Sequence, residues 1–276
     1  MTTINNKHVL ITGAASGLGR LLALRCAGLG ATVTIWDLDA AGGEAVAAEA
    51  TALGSGRARA FACDVGDRAQ VHARAADVLA DAGAVDILVN NAGVVSGREL
   101  LELDDERIER TFAVNALALF WVTKAFLPAM VAGGSGHIVT VASAGGLIAS
   151  PRMTDYAASK FAAVGFNEAL RLELKRSAPG VRTTVICPFY IDTGMFEGVK
   201  TRFPLLLPIL REQDVVERIV KAVQHDRPQV VMPWMVHTLP AMRLLPVGAF
   251  DRLADFFGIT AAMDQFTGRG GGASER

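Results

Sequence analysis

The chain has 276 residues, enough for one large domain or two small ones with a substantial core. Apolar residues make up 51%, charged residues 20%, and the formal net charge is −1, so nothing marks the chain electrostatically for nucleic acid or an anionic membrane. The three cysteines (Cys26, Cys63, Cys187) lie far apart in apolar stretches and the five histidines are isolated, which argues against a disulfide framework or a metal site and for a cytoplasmic protein with reduced, buried thiols.

Residues 1–7 are polar, with no apolar stretch behind their charge, so they do not read as a signal peptide. A strand over 8–12 runs into Thr12-Gly13-Ala14-Ala15-Ser16-Gly17-Leu18-Gly19, which opens a helix over 17–30. Glycines between a strand and a helix let the backbone turn tightly and approach a pyrophosphate, whose charge the helix N-terminus favours. Gly13, Ser16, Gly17, Leu18 and Gly19 are therefore candidate cofactor contacts. A second strand, 32–36, ends at Asp37. A carboxylate there accepts hydrogen bonds from ribose hydroxyls and repels a 2′-phosphate. No Arg or Lys occupies positions 14–16 to attract such a phosphate, so NAD is favoured over NADP. The plainer reading of Asp37 is a strand-end turn residue.

An Ala-rich helix over 40–53 follows. The third strand, 57–63, ends at Asp64-Val65, where the carboxylate is placed for an adenine amino group. Asp67 suits the N-cap of a helix over 67–82. The fourth strand, 87–90, leads into Asn91-Ala92-Gly93, whose small residues let a cofactor lie against the backbone. A long helix over 104–132 carries Asn115, and a strand over 136–142 ends beside Ser143.

The helix over 154–177 places Tyr156 and Lys160 one turn apart on one face. A free phenol titrates near ~10, and a neighbouring cation pulls it toward the working pH. Such a Tyr exchanges a proton with an alcohol or carbonyl oxygen while a serine hydroxyl holds that oxygen. By itself this spacing also occurs on many solvated helix faces. A strand over 181–187, a helix over 212–225 and a strand over 229–232 complete the series.

Short apolar runs alternating with amphipathic ones predict an α/β fold: a single-domain, Rossmann-like doubly wound parallel sheet of about seven strands over 1–267, with helices on both faces. Ligands in such sheets bind at the carboxyl ends of the strands. Residues 189–211 read as an apolar substrate lid and 233–266 as an apolar C-terminal extension. Pro233, Pro240, Arg243 and Pro246 keep the latter below the ~18 uninterrupted apolar residues of a membrane span, so no transmembrane segment is expected. Core or subunit packing is preferred for it, and peripheral membrane contact stays open. Residues 268–276 read as a flexible tail.

Taken in order, the motif from Thr12 to Gly19, Asp64, Asn90-Asn91-Ala92-Gly93, Asn115, Ser143, Tyr156 and Lys160 resemble the short-chain dehydrogenase/reductase family. The resemblance implies an Asn-Ser-Tyr-Lys tetrad: Tyr156 as acid/base, Ser143 on the substrate oxygen, Lys160 on the nicotinamide ribose, and Asn115 anchoring a water. Pro188, Ile191 and Thr193 would meet the nicotinamide, although Phe189 stands where the family has glycine. The stretches 188–196, 203–210 and 253–264 are similar to the branch of retinol, retinal and certain hydroxysteroid dehydrogenases. Val95, Leu147, Met153, Phe189, Met195 and Phe196 would line an apolar substrate pocket without a conspicuous base, which suits a lipophilic alcohol or ketone. The expected activity is NAD-dependent interconversion of such an alcohol and its ketone or aldehyde. The alternative is a catalytically weak NAD-binding regulator or scaffold. Ala-rich helical faces over 113–130 and 161–174 point to a homodimer or homotetramer.

Overall fold

Parallel strands rich in Val, Ile and Leu need cover on both faces, and the computed structural model, which describes residues 1–53 and 57–268, supplies it. The tail lies, beyond Gly268, outside the described residues. Strands β1 (His8–Thr12), β2 (Thr32–Asp37), β3 (Ala58–Ala62), β4 (Ile87–Asn90), β5 (Gly136–Val141), β6 (Val181–Pro188) and β7 (Gln229–Met232) form one sheet. Their order is β3-β2-β1-β4-β5-β6-β7, with every neighbouring pair parallel. The order reverses between β1 and β4, which puts the switch-point crevice at the ends of those two strands.

Alternation along each strand divides the core. Val9, Ile11, Val33 and Ile35 pack with Leu22 of α1 (Gly17–Gly28), Val46 of α2 (Ala40–Leu53) and Ile219, whereas Leu10, Trp36, Leu88 and Ile138 face the other way. There they meet Val78 of α3 (Arg68–Ala82) and, further along the chain, Phe126 and Leu170. Asp67 caps α3, accepting from the N–H groups of Ala69 and Gln70.

The helix expected over 104–132 is not continuous. Helices α4 (Asp105–Phe112) and α5 (Ala118–Ala132) flank a π-helical turn, Ala113–Leu117, and Asn115 sits in that turn. A wider turn re-aims the side chains it carries, and such turns recur at functional sites. The whole run Asp105–Ala132 has the length and apolar composition of a membrane-crossing helix, yet half of its most apolar window is buried in this fold.

Helix α6 (Thr154–Ser177) covers the sheet beside it, and α7 (Glu212–Gln224) lies on the face shared with α1. Between β6 and α7 the lid is irregular, its two ends joined by the parallel bridge Ile191↔Leu210. Beyond β7, the short helices α8 (Leu239–Met242) and α9 (Val247–Phe256) belong to the C-terminal extension. Val236 and Leu239 there pack with Ile148, Cys187 and Leu207. The lid needs no glycine at Phe189: positive φ among described non-glycine residues falls only at Asn6, Arg152 and Asp226. Phe189 simply extends the strand edge, its N–H donating to the Met232 carbonyl at 2.8 Å.

Candidate active site

The loops after β1 and β4 are tied to each other before any ligand enters. Thr12 Oγ1 accepts from the N–H groups of Asn91 (3.0 Å) and Ala92 (3.1 Å), and Asn91 Nδ2 donates back to the carbonyls of Thr12 and Gly13, both at 2.9 Å. Gly13 has φ +66, and a Cβ there would lie 2.7 Å from Ala92 Cα, so this crossing requires glycine. The result is a cleft whose floor is backbone, opening at the N-terminus of α1.

The walls of that cleft carry Gly13, Ser16, Leu18, Gly19, Asp37, Asp64, Val65, Asn91, Ala92, Gly93, Ser143, Tyr156, Lys160, Pro188, Ile191 and Thr193. A glycine-floored groove at a helix N-terminus with a carboxylate at the β2 end fits a dinucleotide. Gly17 helps to form the turn, with φ +52, without lining the wall. Asp37 has two duties: Oδ2 accepts from the Ala15 N–H at 2.8 Å and Oδ1 from the Asp39 N–H at 3.0 Å, while the residue still faces the cleft. Asp64 is held by a partner that the sequence did not reveal. Arg110 Nη1 donates to both of its oxygens, at 2.9 and 2.7 Å, and Arg110 itself lines the cleft with Trp36, Leu38 and Val114. Nothing local in the chain near Arg110 indicates that α4 brings it across to the end of β3.

Asn115, 1% exposed, stands behind the wall instead of on it. Its Oδ1 accepts from the Val94 N–H at 2.8 Å, and its Nδ2 donates to the Val94 carbonyl at 2.9 Å and to Ser159 Oγ at 3.0 Å. Ser143 leads from β5 into a short 3₁₀ turn, and its Oγ accepts from the Gly145 N–H at 2.9 Å. Lys160 Nζ donates to the Val141 carbonyl at 3.0 Å and lies 5.6 Å from the centre of the Tyr156 ring. A Cβ on Gly93 would stand 3.4 Å from both Asn115 Oδ1 and Lys160 Nζ, so the absence of a side chain keeps that corner open.

The sequence-based expectation for the Tyr156 proton is reversed. Burial pushes the phenol up to about 12, with the Ser143 hydroxyl pulling weakly the other way, and burial also brings the Lys160 ammonium down to about 8. Both side chains are 4% exposed, so loss of water outweighs the neighbouring charge. Burial therefore works against ionisation of the Tyr156 phenol. The thiols follow the same physics: burial raises Cys26 and Cys63 to about 12 and Cys187 to about 11, and all three are unpaired.

On the substrate side Phe189, Met195 and Phe196 line the cleft. The Phe196 ring meets Tyr156 edge-on at 5.8 Å and Tyr190 at 5.2 Å between centres. Met153 is buried in the same cluster, with Val95 packed against it. Leu147 does not join them. It packs with the C-terminal extension, and its carbonyl accepts from Arg243 Nε and Nη2 at 3.0 and 2.7 Å. The cluster around Tyr156 and Met153 instead takes in Ala262 and Met263 from the far end of the chain, with Phe266 packed against it. Of the lid leucines, Leu207 is buried while Leu205 is 96% exposed.

The short chain dehydrogenase family model matches residues 7–202. Epidermal retinol dehydrogenase 2 is 42% identical in Mus musculus, over 95% of this chain and 85% of that protein, and 44% identical in Homo sapiens, over 94% and 84%. Retinol dehydrogenase 10 of Rattus norvegicus is 41% identical over 93% of this chain and 84% of its own length. Among solved structures, a short chain dehydrogenase/reductase from Burkholderia phymatum in complex with NAD superposes with TM-score 0.80 at 28% identity, over 88% of this chain and 95% of that one. A 7α-hydroxysteroid dehydrogenase complexed with NADH and 7-oxo glycochenodeoxycholic acid gives 0.75 at 26% identity, over 83% and 92%.

Proposed function

The chain belongs to the short-chain dehydrogenase family, and from that premise we propose that it is an NAD-dependent oxidoreductase interconverting a lipophilic alcohol, of the retinoid kind, with its aldehyde or ketone. The observation that carries the reading is the position of the Tyr156 phenol, where the dinucleotide cleft meets an aromatic lid. Bound NAD supplies the hydride acceptor for oxidation, and its reduced form the donor for the reverse reaction. The chain's own residues do the rest. Ser143 holds the substrate oxygen, and Tyr156 gives its proton to that oxygen in reduction and takes it back in oxidation. Lys160, its ammonium kept near Val141, replenishes that proton through the open corner beside Gly93 and Asn115. Asn115 fixes the backbone at Val94, so that corner keeps its shape.

Preference for NAD rests on Asp37, whose carboxylate faces the cleft where a 2′-phosphate would have to sit. The lipophilic substrate rests on Phe189, Met195 and Phe196 and on the names of the relatives. We extend the proposal to a homodimer or homotetramer, because α5 and α6 expose Phe120 (48%), Phe161 (39%) and Leu172 (49%).

Formation of NADH fluorescence tests the reading, with retinol, long-chain and cyclic alcohols set against short polyols, and with NAD against NADP. The lipophilic alcohols with NAD should give the higher kcat/KM. A preference for polyols would refute the substrate class, and equal use of NADP would refute the role given to Asp37.

A further inference from the structure

The last described residues, 259–268, leave α9 and run back across the lid. Met263 is fully buried and Ala262 is 3% exposed in the cluster that holds Tyr156, Met153 and Tyr190. Polar contacts fasten this segment, these among them. Arg152 Nη1 donates to the Asp264 carbonyl at 3.3 Å, the Lys200 N–H to Ala262 at 3.4 Å, and the Thr267 N–H to the Glu197 carbonyl at 2.9 Å. Phe266 is thereby placed against Phe196, 6.4 Å between ring centres, and the Tyr156 ring lies on 5.8 Å from Phe196. On its other side the Phe266 ring fills the space where Gly97 lacks a side chain. Gly97 has φ +68, and a Cβ there would fall 2.0 Å from Phe266 Cε1. One ring therefore joins the lid to the loop that follows β4.

We propose that Phe266 is a positioning residue for specificity: it backs Phe196, the aromatic wall of the substrate pocket, and thereby sets how long an alcohol tail is accepted. The proposal rests on the reading of the substrate as a lipophilic alcohol and adds where its tail stops. A carbinol held at Tyr156 and Ser143 has the dinucleotide cleft on one side and the wall of Phe189, Met195 and Phe196 on the other. Phe266 stands behind that wall, bridging Phe196 and Gly97, and so limits how far the Phe196 ring can give way to a tail. Because it acts through the wall that the tail meets, it changes the relative binding of long and short substrates.

The test is a series of straight-chain alcohols oxidised with NAD by the full-length chain and by F266A and F266W. In the unaltered enzyme KM should fall by about fourfold per added methylene, then level off where the tail meets the wall. F266A should move that plateau to longer chains, and F266W to shorter ones. The KM ratio between long and short alcohols carries the result, since general damage to the fold affects both alike. A plateau at the same length in all three proteins overturns the proposal. Amide hydrogen exchange of F266A supplies a readout independent of turnover: residues 94–97 and 196–200 should exchange faster together, and unchanged exchange overturns the bridging role even if no alcohol is a substrate. If the unaltered enzyme oxidises no alcohol while exchange responds as expected, the proposed function fails and the bridge survives.

Discussion

Asn115→Ala tests the packing beneath the tetrad most severely. Asn115 is 1% exposed and makes three hydrogen bonds, two to the Val94 backbone at 2.8 and 2.9 Å and one to Ser159 Oγ at 3.0 Å. Alanine strands the N–H and the carbonyl of Val94, and an unsatisfied buried group costs roughly 1–3 kcal/mol. Summed over those two groups, the expected loss is about 2–6 kcal/mol, a large share of the ~5–15 kcal/mol that holds a typical domain together. Urea unfolding followed by tryptophan fluorescence reads this as a lower midpoint at unchanged slope. NADH affinity should fall as well, because the loop from Asn91 to Val94 forms part of the cleft. Asn115→Asp should be no milder: it keeps an acceptor for the Val94 N–H but turns a second oxygen toward the Val94 carbonyl. A loss under about 0.5 kcal/mol, the level of an ordinary surface substitution, would refute the hydrogen-bonded clamp.

His137 is wholly buried and lowered to about 4, chiefly by burial, so the folded chain resists its protonation. The unfolded chain takes up that proton near the ordinary imidazole value of 6.5, so stability is complete above that pH and falls as pH drops toward 4, by roughly 3 kcal/mol for this group. His137→Asn should flatten that part of the stability profile between pH 6.5 and 4, and an unchanged slope would contradict the assignment. Asp37→Ala should weaken NADH binding by about 10- to 100-fold, the worth of a hydrogen bond to a charged group, while NADPH is much less affected; titration of nucleotide fluorescence measures both, and an unchanged ratio argues against the carboxylate as discriminator. Arg110→Gln should lower NADH affinity severalfold by freeing Asp64. Its effect on stability should stay within about 1 kcal/mol, because the pair is partly exposed.

What the chain disclosed in advance is what period and punctuation carry. β1 carries Val9, Leu10 and Ile11 in a row and opens onto glycines, so strand, turn and helix are legible together, and the carboxylates at Asp37 and Asp64 follow from the same pattern. The π-helical turn at Asn115 leaves no such mark, since it changes backbone geometry without changing composition. The acidity of Tyr156 went the other way from expectation because spacing on a helix supplies neighbours but not burial, and burial dominates here. Leu147 and Phe266 are the clearest cases. A pocket wall assembled from 3₁₀ turn, lid and C-terminal segment depends on tertiary packing, which placed Leu147 against the extension and drew Phe266 in over Gly97. Arg110 belongs to the same class: its partner is 46 residues away and the pair exists only once α4 docks.

Tyr156 is proposed as the acid/base of an alcohol-oxidising site at one end of the dinucleotide cleft. Tyr156→Phe removes one oxygen from a ring held by Phe196 and leaves the cleft's backbone floor untouched. In that variant NAD-dependent oxidation of retinol or a long-chain alcohol should fall by about a hundredfold or more, the usual contribution of a general acid/base, while NADH still binds with nearly its original affinity. Turnover at the original rate by the Phe variant would contradict the acid/base role.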